Sequence, residues 1–271
     1  MKSGVSTASL FLRQNTEDAL KTLLDLGVKT TEVFLCSYQE YVRSFAEILR
    51  SKQGEMDVHS IHALGTQFEP QLFSKNQRTS EDAYFWLGNV METARAIGAK
   101  YYTFHGLPRA KKAMREERGD NFSSWAKTLA KIGEFTTRFG VRLCLENVEW
   151  AMCNRPEVFS ALKADCPELL GVVDIKQARI YGRKAEEYVE AMRGSIAHVH
   201  ISDVDEEGKM CLPGKGTFDF PEFIKRLHGA GFNGPLIIEA YENDYQKEEE
   251  LKTACEYIDE ILYKYGYLSK N

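Results

Sequence analysis

The chain has 271 residues, 43% hydrophobic and 28% charged, a balance that excludes a disordered tail, a collagen-like repeat or a membrane protein. No apolar run approaches the ~20 residues a membrane helix needs. With 35 basic against 40 acidic residues the net charge is −5, which counts against a duplex-binding protein.

In chain order, short β-rich runs alternate with helical patterns roughly every 30 residues. Strands are expected at Gly4–Ala8, Thr31–Leu35, Met56–His62, Lys100–His105, Val141–Glu146, Leu170–Asp174, Ala197–Ile201 and Pro235–Ala240. Several consist almost wholly of Val, Ile, Leu and aromatics, as strands covered on both faces do. Between them, Asn15 or Thr16 caps a helix carrying Leu20, Leu23 and Leu24, which Gly27 ends. Ala83, Leu87, Val90, Met91 and Ala94 fall on one helical face before Gly98, and Phe122, Trp125, Leu129, Ile132 and Phe135 repeat the spacing before Gly140. Pro156 and Pro221 sit where a first helical turn tolerates proline. Eight βα units without a linker predict an α/β fold, a (β/α)8 TIM barrel formed as a single domain over residues 1–271. An open doubly wound sheet is the runner-up, weakened because no strand leads into a G-x-G-x-x-G turn.

The amino-terminal residues Met1–Ser6 lack the apolar core of a signal peptide. Cys36, Cys144, Cys153, Cys166, Cys211 and Cys255 are scattered, with no C-x-x-C pair. Reduced thiols and a cytoplasmic location are therefore expected.

In such barrels the site is built where strands end and βα loops begin. The polar residues at those ends are His62, His105, Glu146 with Asn147, Asp174, His200 with Ser202 and Asp203, and Glu239. Strand alternation turns Glu146, Asp174, His200 and Glu239 into the barrel mouth if Leu145, Val173, Val199 and Ile238 face the helices. The same rule selects His62 and sends His59 outward. His198 lies deeper, as a supporting or packing residue, and His228 lies on a helix. Carboxylates converging in an apolar setting repel unless a cation sits among them. One imidazole nitrogen, three carboxylates and no sulfur favour Mn, Mg, Co or Zn as a single divalent ion.

The chain resembles the xylose-isomerase-like TIM barrels, in particular their sugar phosphate isomerase/epimerase group. The resemblance is carried by Leu145-Glu146-Asn147, Val173-Asp174-Ile175-Lys176-Gln177, His198-Val199-His200-Ile201-Ser202-Asp203, Leu212-Pro213-Gly214-Lys215-Gly216 and Ile237-Ile238-Glu239, in that order. It implies that Glu146, Asp174, His200 and Glu239 bind one divalent metal and that Glu146 and Glu239 double as the acid/base pair. It places His62 and His105 near the metal, as substrate contacts or further ligands. One position departs: the family often has Asp-x-x-His on strand six, and here Asp174 is followed by Gln177, a poor ligand that counts against a multi-metal site.

The chemistry expected is isomerisation or epimerisation of a sugar or sugar phosphate, by proton transfer through a metal-stabilised enediolate. Asn147, Trp150, Lys176 and Gln177 join His62 and His105 as candidate substrate-binding residues, with Phe68 as a second stacking aromatic. Lys176, Arg179, Arg183, Lys209 and Lys215 outline a candidate anion site. The run Arg109–Arg118 reads as a solvated lid or helix. A polyol or inosose dehydratase on the same metal is an alternative, and an apurinic-site endonuclease or a sugar-binding module are weaker ones. The partner expected is a small carbohydrate, with neither nucleic acid nor membrane, and a homo-oligomer is left open.

Overall fold

The computed structural model describes residues 1–109 and 122–268. Eight parallel strands close a barrel in sequence order: β1 Lys2–Ser6, β2 Thr30–Leu35, β3 Asp57–Ala63, β4 Tyr101–Phe104, β5 Arg142–Glu146, β6 Leu170–Asp174, β7 Ile196–Ile201 and β8 Pro235–Ile238. Pairing of Gly4 with Ile237 and Val5 with Ile238 seals the first strand to the last. The predicted (β/α)8 architecture is the one observed. Around it lie α1 Thr16–Asp25, α2 Arg43–Gln53, α3 Gln77–Ile97, α4 Phe122–Thr137, α5 Pro156–Asp165, α6 Ile175–Ile180, α7 Ala185–Ala191, α8 Phe220–Gly229 and α9 Glu249–Lys264.

The strands bury both faces, which is why they read as apolar runs. Leu143, Leu145, Val173, Val199, Leu236 and Ile238 face the helical shell, and Cys144, Leu170, Val172 and Ala197 pack with Tyr101 inside the barrel floor. The first strand begins two residues earlier than expected and ends at Ser6, because Thr7–Leu10 tightens into a 3-10 turn that closes it. The last ends at Ile238, so Glu239 stands just past the ladder at the mouth. A short antiparallel ribbon, Asp203–Val204 with Met210–Cys211, was not anticipated. Its organiser is Asp203, whose Oδ1 accepts from the Val204 and Phe218 amides and whose Oδ2 accepts from those of Gly214 and Gly216. Among the described residues no helix is long and apolar enough to cross a membrane.

One local irregularity corrects the sequence reading. Thr31 pairs with Val58 but Glu32 pairs with Ser60, so a bulge falls at His59. The extra residue breaks strict alternation. His59 therefore does not face a helix: its ring stacks on Tyr101 at 4.6 Å and meets His198 edge-on at 5.3 Å. Burial in the floor, with His198 beside it, lowers its pKa to about 3.

Candidate metal centre

The four mouth residues come from four consecutive strands of the ladder, β5 to β8. Pairing of Asp174 with His200, and of His200 with Ile237 two residues before Glu239, brings their inward side chains to one place. Ligand atoms of Glu146, Asp174, His200 and Glu239 lie within 4.8 Å of one another. His200 Nδ1 is 2.7 Å from Glu146 Oε1, 3.6 Å from Glu239 Oε2 and 3.9 Å from Asp174 Oδ2. Glu146, Asp174 and His200 are buried, and Glu239 opens slightly to the mouth.

The donors fit a hard divalent ion: one imidazole nitrogen, three carboxylates and no thiolate. The decisive detail is Asp174. Its Oδ1 accepts from the Gln177 amide at 2.8 Å, while its Oδ2 is buried with no hydrogen-bond partner. A buried carboxylate oxygen left bare costs free energy unless a cation meets it. Burial, against the pull of Lys176 and reinforced by Glu146 and Glu239, pushes the Asp174 pKa up to about 7.

The sequence reading missed a fifth group. Glu32, in the middle of β2, is fully buried at 0% exposure directly beneath the mouth. Its Oε1 is 3.0 Å from His200 Nε2 and 3.6 Å from His62 Nδ1, and its Oε2 is 3.1 Å from His198 Nε2. Ser6 and Ser60 donate to it at 3.3 and 2.8 Å, and Thr103 at 2.6 Å. Burial opposes its charge, but His200, His198 and His62 outweigh that and hold its carboxyl well below the usual range. His200 thus presents Nδ1 to the mouth and Nε2 to a carboxylate below. That arrangement orients an imidazole ligand and raises its basicity.

His62 and His105 reach the same space, with their Nε2 atoms 3.1 Å apart and His105 Nε2 2.7 Å from Glu146 Oε2. Phe34 meets the edge of His62 at 5.1 Å, and Trp150 stands 5.2 Å from His105. A second buried carboxylate, Glu69, braces the His105 turn by accepting from the His105 and Gly106 amides at 2.9 Å each and from the Tyr102 hydroxyl at 2.6 Å. Gly65 lets these pieces meet: a Cβ there would lie 2.6 Å from His105 Nδ1 and 2.7 Å from Glu69 Oε2. Gly65→Ala is expected to displace His105 and cost about 1–3 kcal/mol. Thermal melting beside kcat/KM checks it, and an unchanged pair of values would count against this role of Gly65.

Other candidates sit differently. Both polar atoms of Asn147 are used on the backbone of Asp174, Nδ2 donating to its carbonyl at 2.9 Å and Oδ1 accepting from its amide at 2.8 Å. Gln177 Oε1 accepts from the Glu149 amide. Lys176 is buried and turns to Glu239. Phe68 is buried, its ring meeting that of Tyr41 edge-on at 5.6 Å. Of the cations of the candidate anion site, Lys176, Arg179 and Arg183 line one cavity beside Ser202 and Asp203, while Arg183 also pairs with Glu157 and Glu187, and Lys215 pairs with Glu250. Arg109 pairs with Glu149, and the rest of its basic run lies outside the described residues.

The protonation pattern has a consequence for pH. Glu32, Glu239 and Glu146 outweigh burial and push the His200 imidazolium well above its ordinary value, and Glu32, Glu146 and Glu239 likewise raise His62. With Asp174, these groups have folded pKa values above their unfolded ones, so their stabilisation is present at low pH and lost as pH rises, for Asp174 through about 7. Glu32 and Glu146 are depressed and act oppositely, losing their contribution as pH falls below the ordinary carboxylate range. The metal-free protein should melt highest at mildly acidic pH. Metal binding must expel the proton from Asp174, so affinity should fall by about tenfold per unit below about pH 7. Calorimetric titration with Mn²⁺ at several pH values tests this, and a pH-independent affinity would contradict it.

The chain is similar to known proteins in sequence and fold. A model of the family described as xylose isomerase-like TIM barrel matches residues 20–261. Inosose isomerase of Bacillus velezensis is 26% identical over 191 residues, covering 65% of this chain and 67% of that protein. D-psicose 3-epimerase from Clostridium cellulolyticum H10, solved with D-tagatose, superposes with a TM-score of 0.78 at 14% identity, over 97% of this chain and 99% of the other. The IOLI protein, solved with a bound zinc atom, superposes with a TM-score of 0.74 at 18% identity, covering 100% of both chains.

Proposed function

Because the chain belongs to the family of xylose isomerase-like TIM barrels, we propose that it is a divalent-metal-dependent isomerase or epimerase of ketoses or inososes. In this reading Glu146, Asp174, His200 and Glu239 hold the ion. The observation that carries it is the bare, buried Asp174 Oδ2 among three other donors within 4.8 Å. The 26% identity to an inosose isomerase supports the substrate class, and the zinc in the IOLI protein supports a divalent ion on this fold. When bound, the ion supplies Lewis-acid polarisation of a carbonyl and a neighbouring hydroxyl.

The chain's own residues do the rest. Glu239, at the open edge of the set, takes or returns the proton on carbon, and Glu146 serves the opposite side of the substrate. His105 and His62 orient Glu146 and the substrate oxygens, while Trp150 and Phe34 wall the mouth.

The test is elemental analysis of the purified protein, followed by a panel of ketoses and inososes with added Mn²⁺ in deuterated water. Bound divalent metal and solvent deuterium on a substrate carbon are expected. Protein without metal affinity and without exchange on any member would overturn the reading. The endonuclease alternative draws on a specific observation, the His62, His105 and Glu146 set, whose ligand atoms also lie within 4.8 Å. Cleavage of an abasic oligonucleotide would favour it, and Gln177 in the first turn of α6 counts against it.

A further inference from the structure

We propose that Lys176 is a resident countercation of the mouth, which restrains metal affinity and positions Glu239. The inference rests on the metal reading above and deepens it.

Lys176 follows Asp174 by two residues, in the first turn of α6. Among the described residues it is the only lysine or arginine that is buried, with 1% of its surface exposed. A lone buried ammonium is costly and persists only where opposite charge surrounds it. Here Nζ lies 3.6 Å from Glu239 Oε2 and 3.4 Å from the Glu239 carbonyl oxygen. The Tyr241 ring covers it, with the ring centroid 3.8 Å away. A cation on an aromatic face is attracted by the ring quadrupole, most strongly where water is excluded.

Glu239 is held from two sides: Oε2 faces Lys176, and Oε1 lies 3.8 Å from His62 Nδ1. Three carboxylates and a neutral imidazole around a divalent ion leave one negative charge over. The Lys176 ammonium supplies the missing positive charge. Negative charge developing on a substrate oxygen then builds beside a fixed cation that offsets the Glu239 carboxylate. The same ammonium repels the incoming ion, because like charges a few ångströms apart in a poorly screened interior interact strongly. Lys176 acts through Glu239, against which its Nζ lies, so it is a positioning residue.

This gives a result with an unusual sign. Lys176→Met, which keeps the buried aliphatic stem, is expected to bind Mn²⁺ about tenfold more tightly than the parent protein. Lys176→Arg keeps the charge and should stay within about threefold of the parent. Tyr241→Leu, which uncovers the ammonium to water, should tighten binding by a smaller factor and remains informative if Lys176→Met fails to fold. Calorimetric titration of each metal-stripped protein with Mn²⁺ alone reads these values, with thermal melting confirming the fold. A residue that merely props Glu239 would give weaker binding on removal. Weaker or unchanged Mn²⁺ affinity in a folded Lys176→Met or Tyr241→Leu protein, against a parent that binds, would overturn the inference and spare the proposed function. A parent protein that binds no Mn²⁺ would overturn both.

Discussion

Glu32→Ala is expected to destabilise the protein by about 3–5 kcal/mol, the usual loss when one partner of a buried charge network is removed. The side chain is fully buried and serves Ser6, Ser60, Thr103, His198, His200 and His62 together. Alanine would leave these groups facing a void, and water entering it would meet several of them only in part. Glu32→Gln keeps the volume and two hydrogen-bonding atoms but loses the charge opposite His200 Nε2. For that variant the fold should persist while metal affinity drops by about 10–100-fold, the typical loss when a carboxylate behind a ligating imidazole is removed. Urea unfolding of the first variant and metal titration of the second are the measurements. Parental stability in the alanine variant, or parental affinity in the glutamine variant, would show that Glu32 is incidental to the mouth.

Glu239→Gln should lower kcat by about 10²–10⁴-fold and also lower the melting temperature, because it removes proton transfer and takes the charged partner from the buried Lys176 ammonium. Glu146→Gln should lower kcat at least as far and also reduce stability, since Glu146 Oε1 and Oε2 bind His200 Nδ1 and His105 Nε2 at 2.7 Å each. Solvent deuterium incorporation on the substrate found in the panel separates the two: a proton-transfer role requires exchange to fall in parallel with turnover. Near-normal turnover in either variant would remove that glutamate from the acid/base pair.

The strands were legible because several are nearly continuous apolar runs, and the mouth because its ligands follow directly on such runs. Asp174 and His200 are paired across the ladder as their spacing from Val172 and His198 implies. Glu32 was not legible by the same rule. It stands inside Thr30-Thr31-Glu32-Val33-Phe34-Leu35 and not at the strand's carboxyl end, and a search restricted to strand ends passes over it. The available signal was energetic: a carboxylate amid an unbroken buried run must have partners. His59 was misplaced for a different reason, since nothing in Val58-His59-Ser60 marks the bulge that turns it inward. Asn147 and Lys176 were identified as mouth residues, yet whether their polar atoms face a ligand or their own backbone and neighbours depends on side-chain packing that spacing does not encode.

The bulge at His59 reaches further than one ring. It completes a polar file through the middle of the barrel, from His59 to His198, to Glu32, to His200 and so to the mouth. Most closed barrels fill this axis with stacked aliphatic layers. Here the axis resembles insulated wiring more than filler, and each imidazole along it depends on the carboxylate at the centre. Attempts to raise the melting temperature by packing larger aliphatics into the interior should therefore succeed on the outer faces of the strands and fail along this axis.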